Sequence, residues 1–144
     1  VITARDVMHA KAQCINEDQT LQEAAEMMAK LGVGALPICG SDQKLKGIIT
    51  DRDIVIRCIA KRKDPASMKA MELAGHPHCV RSEDSMDTVL KKMKQHQIRR
   101  ILVIDGEKLV GMISEADLAN GHMMGKGVTD QMIADFMDGV YAKR

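Results

Sequence analysis

Leu45-Lys46-Gly47-Ile48-Ile49-Thr50-Asp51-Arg52-Asp53-Ile54 is answered further along the chain by Leu109-Val110-Gly111-Met112-Ile113-Ser114-Glu115-Ala116-Asp117-Leu118. Each stretch runs from a β-branched or apolar strand pattern, through Thr50 or Ser114, into a helix-forming pattern. Gly47, Thr50 and Asp53 in the first line up with Gly111, Ser114 and Asp117 in the second. Working outward, the whole span from Cys14 to Ile54 recurs with the same grammar as Cys79 to Leu118. An internal repeat of this kind implies two like units, each too short to bury a face alone, related by a pseudo-twofold axis.

Periodicity places the elements of each copy. In the first, Thr3 caps a short leading helix through Met8, and Gln13 to Ile15 is a strand. Asp18 or Thr20 then opens a helix on Leu21, Ala24, Ala25, Met28 and Leu31, which Gly32 ends. Ala35 to Cys39 and Leu45 to Ile49 are strands joined by the turn Gly40-Ser41-Asp42, and Asp51 to Ala60 is a closing helix. In the second, Ala66 to Leu73 is the leading helix and His78 to Val80 a strand. Met86 to His96 is a helix, Ile101 to Ile104 and Leu109 to Ile113 are strands about Asp105-Gly106, and Glu115 to Ala119 closes the copy. Gly121 to Gly127 is loose, and Val128 to Tyr141 is an amphipathic tail helix carrying Phe136 and Tyr141, the aromatic residues of the chain. Polar Lys61 to Asp64 followed by Pro65 breaks the pattern. The chain thus divides into 1–62, first repeat with leading helix; 63–122, second repeat with leading helix; and 123–144, helical tail. The fold class is α/β (α+β): two β-α-β-β-α units, each with a small three-stranded sheet, packed sheet to sheet.

Composition narrows the function. The chain has 144 residues, with 21 basic against 20 acidic side chains and a formal net charge of +1. Neither a basic field nor aromatic stacking platforms are present, which argues against nucleic acid. One Phe, one Tyr and no Trp stand against twelve Met, so the core is aliphatic and thioether-rich, and the Met stripes at helical spacing read as core. No apolar run matches a membrane span, and Val1-Ile2-Thr3-Ala4-Arg5-Asp6 lacks signal-peptide character, so a cytoplasmic protein is expected. The chain starts without Met, which leaves processing upstream of Val1 open.

The steps Thr50-x-x-Asp53 and Ser114-x-x-Asp117 support two readings. A hydroxyl three residues ahead of a carboxylate is a capping box that starts a helix. The same geometry suits a nucleotide: a helix N-terminus favours phosphate, and an ionised Asp, which only accepts hydrogen bonds, matches the hydroxyl donors of a ribose.

The doubled motifs, together with Gly34-Ala35-Leu36-Pro37-Ile38 and Arg99-Arg100-Ile101-Leu102-Val103-Ile104-Asp105, resemble a tandem pair of cystathionine-β-synthase (CBS) domains, or Bateman module, over about residues 3 to 120. More narrowly, the chain is similar to small stand-alone CBS-pair proteins. The resemblance implies a regulatory, non-enzymatic sensor that binds an adenosine-containing ligand (AMP, ADP, ATP or S-adenosylmethionine) in clefts between the repeats and signals by a shift of conformational population. It also implies a homodimer, an effector protein not named by the sequence, and no required cofactor. Carried over residue by residue, Asp53 and Asp117 hold the ribose, and the hydroxyls of Thr50 and Ser114 lie near ribose or phosphate. Ile15, Val80, Ala35 and Pro37 flank the adenine, and Arg99 with Arg100 meets phosphate. The arginines also fit on their own chemistry, since paired guanidinium groups suit phosphate oxygens; their other reading is a solvated surface pair. Gly34-Ala35 stands where the second copy has Arg99-Arg100, so the two sites are unequal.

Two further constellations stand out. His76, His78 and Cys79 read either as a fragment of a zinc site, needing further ligands from His9, His96, His122 or a second subunit, or as exposed histidines beside a buried cysteine. Four cysteines without a Cys-x-x-Cys pair read as reduced thiols, yet Cys14 and Cys39 fall in strands that a β-α-β unit sets side by side, where a disulfide can form under oxidising conditions. No nucleophile–base motif is present. The alternative function is a dimeric stress or interaction protein that keeps the fold without binding nucleotide, with dimerisation or metal binding as its business.

Overall fold

A computed structural model of the chain describes residues 1–10 and 12–140, so Tyr141 lies outside the described residues. Two compact units form: Gln13–Pro77, and Val1–Ala12 with the chain from His78 onward.

In the unit Gln13–Pro77, β2 (Ile15–Asn16), β3 (Ala35–Cys39) and β4 (Leu45–Thr50) make a sheet in the order β2-β3-β4, parallel then antiparallel. The crossover is α2 (Leu21–Leu31). Its Thr20 cap accepts from the Glu23 N–H while Glu23 reaches back to the Thr20 N–H, and Gly32 closes it at φ 68°, the left-handed conformation a glycine adopts without a Cβ penalty. Leu21, Ala24 and Met28 pack with Ile15, Leu36, Ile38 and Ile49 in one aliphatic core. The closing helix is α-helical only over α3 (Asp51–Ile54) and continues as a π-helical turn, Val55–Ile59. Ala66 to Leu73 is not an α-helix either. Asp64 caps a turn through the Ala66 N–H and the Ser67 hydroxyl, and only Ala70–Leu73 is helical, as a 3-10 turn.

The other unit holds α1 (Ala4–Val7), β1 (His9–Ala10), β5 (Cys79–Arg81), α4 (Met86–His96), β6 (Arg100–Asp105), β7 (Lys108–Ser114), α5 (Glu115–Met123) and α6 (Asp130–Val140). Its sheet runs β1-β7-β6-β5. Four strands replace the expected three because His9 and Ala10 pair antiparallel with Met112 and Gly111, covering an edge that periodicity alone leaves bare. Gly106 at φ 63° and Glu107, rather than Asp105-Gly106, form the hairpin turn, with Asp105 already paired to Lys108. Val80, Met86, Val89, Met93, Ile101 and Ile113 centre the core, and Phe136 and Val140 of α6 close it.

The repeats are consecutive in sequence, whereas the packing units are not. The segment leading into the first repeat lies on β7, and Gly75, from the segment leading into the second, pairs with Ile48 of β4. Glycine makes both approaches feasible: a Cβ on Gly111 would stand 2.7 Å from the His9 carbonyl oxygen, and one on Gly47 would stand 2.9 Å from the Ala74 Cβ.

Candidate functional site

Each repeat builds a corner where a strand hands over to a helix. In the first, Thr50 is extended and caps α3: its hydroxyl accepts from the Asp53 N–H at 3.1 Å. Asp53 Oδ2 in turn accepts from the Thr50 N–H at 3.1 Å and from the Thr50 hydroxyl at 2.8 Å. In the second, Asp117 Oδ2 accepts from the Ser114 N–H at 2.8 Å and from the Ser114 hydroxyl at 2.9 Å, while the Asp117 N–H donates to the Ser114 oxygen at 3.4 Å. The capping-box geometry is therefore present in both copies. It occupies each hydroxyl and one oxygen of each carboxylate, Oδ2, and makes no use of Oδ1.

The corners differ in their cations. Arg57, one turn along from Asp53, places Nη1 3.6 Å from Asp53 Oδ1. Asp117 is met instead by His9, whose Nδ1 donates to Oδ2 at 2.6 Å. The Asp117 side chain is 15% exposed and that of His9 is 48% exposed, so the pair opens to solvent through the imidazole. Sequence reasoning missed His9 because it lies 108 residues from Asp117. It missed Arg57 although the i, i+4 spacing was visible.

Strand register brings several expected site residues together. Ala35 pairs with Thr50 and Arg100 with Ser114, so the residue opening the central strand lies across from the capping hydroxyl in both repeats, apolar in one and cationic in the other. Arg99 and Arg100 are exposed. Pro37 pairs with Ile48 and is buried. Ile15 and Val80 are buried at 1% and 3% exposure, each inside its own unit's core. An open groove of about 420 Å³ adjoins the first corner between α2 and α3, its lining including Met28, Val33, Gly34, Asp51, Ile54 and Val55 but not Asp53.

Cys14 and Cys39 are neighbours as free thiols. Burial, joined by the hydrogen bond and charge of Cys14, pushes the Cys39 thiol up to about 12. His78 stacks on His96 with ring centroids 3.9 Å apart, and its pKa is lowered by burial first and then by His96 and Lys92. His76 is exposed. Among the described residues no three His, Cys, Asp or Glu side chains gather as a metal site, and none of the helices is long and apolar enough to cross a membrane.

The sequence profile of the CBS domain matches residues 4–59 and 71–121. The chain belongs to the CBS-domain family. It carries a CBS pair, as the doubled corner indicates. Among its relatives is hypoxic response protein 1 of Mycobacterium tuberculosis, 46% identical over 118 residues that cover 81% of this chain and 82% of the relative. A crystal structure of hypoxic response protein I with two coordinated zinc ions superposes at a TM-score of 0.74 with 44% identity, over 83% of this chain and 98% of that one. A CBS-domain protein of Pyrobaculum aerophilum complexed with AMP superposes at 0.68 with 26% identity, over 88% and 98% of the two chains.

Proposed function

We infer that this CBS pair is a regulatory sensor whose Asp53 and Asp117 hold the sugar of an adenosine-containing ligand: AMP, ADP, ATP or S-adenosylmethionine. The observation that carries this reading is that each carboxylate spends only Oδ2 on its capping box. Oδ1 stays outside the box, open to ribose hydroxyls at Asp117 and shared with Arg57, 3.6 Å away, at Asp53, and Asp is a donor-free partner for a diol. The hydroxyls of Thr50 and Ser114, already committed within the corners, set the carboxylates rather than meet phosphate. Phosphate charge is served by Arg100, across from Ser114, and by Arg99 beside it in sequence. Ala35 offers none across from Thr50. The Pyrobaculum relative complexed with AMP supports the ligand class. Ile15, Val80 and Pro37 are buried in strands of their own units and offer little side-chain surface to a base.

Ligand occupancy then acts by stabilising one conformational population, by no more than its differential affinity for the states. The pair works without catalysis of its own, as a homodimer, in the cytoplasm, and passes the signal to an effector. A thermal-denaturation panel with AMP, ADP, ATP, S-adenosylmethionine and zinc tests the reading, since a ligand at about a hundred times its dissociation constant adds about 2.7 kcal/mol. Asp53→Asn and Asp117→Asn keep a side-chain acceptor while removing the charge. Full nucleotide binding in the double variant refutes the assignment.

A second reading is a dimeric stress protein that holds zinc and no nucleotide. The stacked His78 and His96 favour it, as do the two zinc ions of the hypoxic response protein structure. His76, His78 and Cys79 do not form a complete set within the described residues of one chain, because a structural zinc takes about four ligands. Stabilisation by zinc alone in the same panel selects this reading.

A further inference from the structure

The two carboxylates are equivalent in the repeat and unequal in what reaches them along the strand edge. His9 arrives at Asp117 because β1 lies on β7, with His9 paired to Met112 and Ala10 to Gly111. Its Nδ1 makes the third donor on Asp117 Oδ2, at 2.6 Å, beside the Ser114 N–H and hydroxyl. An oxygen with three donors is fixed in place, and the plane of the carboxylate with it, so the direction of Oδ1 is set before a ligand arrives. In the first repeat the matching edge position is Gly75. It exchanges backbone hydrogen bonds with Ile48, the counterpart of Met112, at 2.9 and 3.2 Å. Glycine carries no side chain to Asp53, and the space a Cβ would enter holds no atom within 4 Å. The cation near Asp53 is Arg57, which approaches Oδ1, the oxygen a sugar would need.

We propose that His9 is a positioning residue of the second corner, holding Asp117 so that Oδ1 is preset for the hydroxyls of a ribose and making this corner the preferred adenosine-ligand site of the chain. The inference rests on the sensor reading and deepens it. His9 acts through an N–H, so a side-chain amide can replace it and a bare backbone cannot. Preorganisation of a binding group raises affinity by removing the cost of ordering it on binding.

The test is calorimetric titration of the full chain with AMP. His9→Gly is expected to weaken binding by about tenfold, the scale of one charge-assisted hydrogen bond. His9→Gln keeps an N–H donor and is expected to recover most of the affinity. In an Asp117→Asn background, which leaves the first corner, Gly75→His is expected to strengthen AMP binding, by installing at Asp53 the donor it lacks. This second arm stays informative if His9→Gly fails to fold. Wild-type affinity in a folded His9→Gly, equal losses in His9→Gly and His9→Gln, or no gain from Gly75→His would overturn the inference while AMP binding by the wild type upholds the sensor reading. A folded wild type that binds no AMP, ADP, ATP or S-adenosylmethionine removes both.

Discussion

The two repeats share a motif grammar and finish it differently. In the second, the helix after the corner runs as α5 from Glu115 to Met123, and α6 lays Phe136 and Val140 onto the core. In the first, α3 gives way within one turn to the π-helical segment, and Val55, Ile56 and Ile59 stay 55%, 45% and 53% exposed. Identical corners therefore do not imply identical surroundings. Whatever follows the capping box decides whether the next apolar residues are covered, and whatever lies on the neighbouring strand edge decides which cation reaches the carboxylate.

The comparison breaks hardest at α6. Phe136→Ala empties a 2% exposed site in the second core, and a loss of about 3–5 kcal/mol follows from the removed area and the cavity together. Chemical denaturation should register it, and hydrogen exchange should localise it to the unit containing α4 and β6. A loss spread evenly over both units would mean that α6 is not specific to one core.

Next in size are the two glycine edges. Gly111→Ala drives a Cβ to 2.7 Å from the His9 carbonyl oxygen and 2.6 Å from the Met8 Sδ. The carbonyl cannot swing away as a side chain can, so β1 must lift, at about 1–3 kcal/mol. Gly47→Ala meets the Ala74 Cβ at 2.9 Å, an atom that moves only with its own main chain, and the Gly75 oxygen at 3.3 Å; a single contact that close, against the two at Gly111, makes the loss smaller. Urea denaturation of the two variants side by side checks the order. Equal losses would remove the distinction between the edges.

The caps come third. Thr50→Ala and Ser114→Ala each cost about 1 kcal/mol. The Thr50 change is the larger, because its oxygen receives the Asp53 N–H at 3.1 Å against 3.4 Å for the Asp117 N–H to Ser114. Melting midpoints of the two variants measure this difference.

The smallest effect separates α2 from α4 by acid. The Glu23 carboxyl lies below its ordinary 4.5, chiefly through the Thr20 N–H and then through the side chains of Gln19 and Thr20. A carboxylate with a lowered folded pKa stabilises fully above its unfolded value, and the contribution fades as pH falls through the folded one. Below 4.5 the Thr20 amide should therefore exchange faster. The start of α4 uses the Ser85 oxygen for the Thr88 N–H and carries no such carboxylate at the third helical position, so the Thr88 amide is expected to keep its protection. Amide exchange followed by NMR across this range reads both.

Much of the fold was legible because it is written in short-range pattern. The helix over Leu21–Leu31 with its Gly32 stop, the helix over Met86–His96 and the strand over Ala35–Cys39 all follow from neighbours within about a turn, while the choice of Thr20 over Asp18 as the cap came from the structure. The register also bears out the alignment of Ala35 with Arg100, since each faces the capping hydroxyl of its repeat. Illegible were the π-helical turn after Ile54, the reduction of Ala66–Leu73 to a 3-10 turn, and the two-residue strand His9–Ala10. A strand of two residues has no periodicity to read; it exists because β7 offers an open edge with a glycine in it.

By itself the sequence determined the duplication, the β-α-β-β-α order within each repeat, and the paired hydroxyl–carboxylate corners, since each is written in side chains close together in the chain. Only the tertiary structure decided which edge each leading segment joins, and so which carboxylate meets an imidazole and which an arginine. That choice depends on a free strand edge and on close approach to a residue 108 positions away, and neither leaves a periodic trace in the chain.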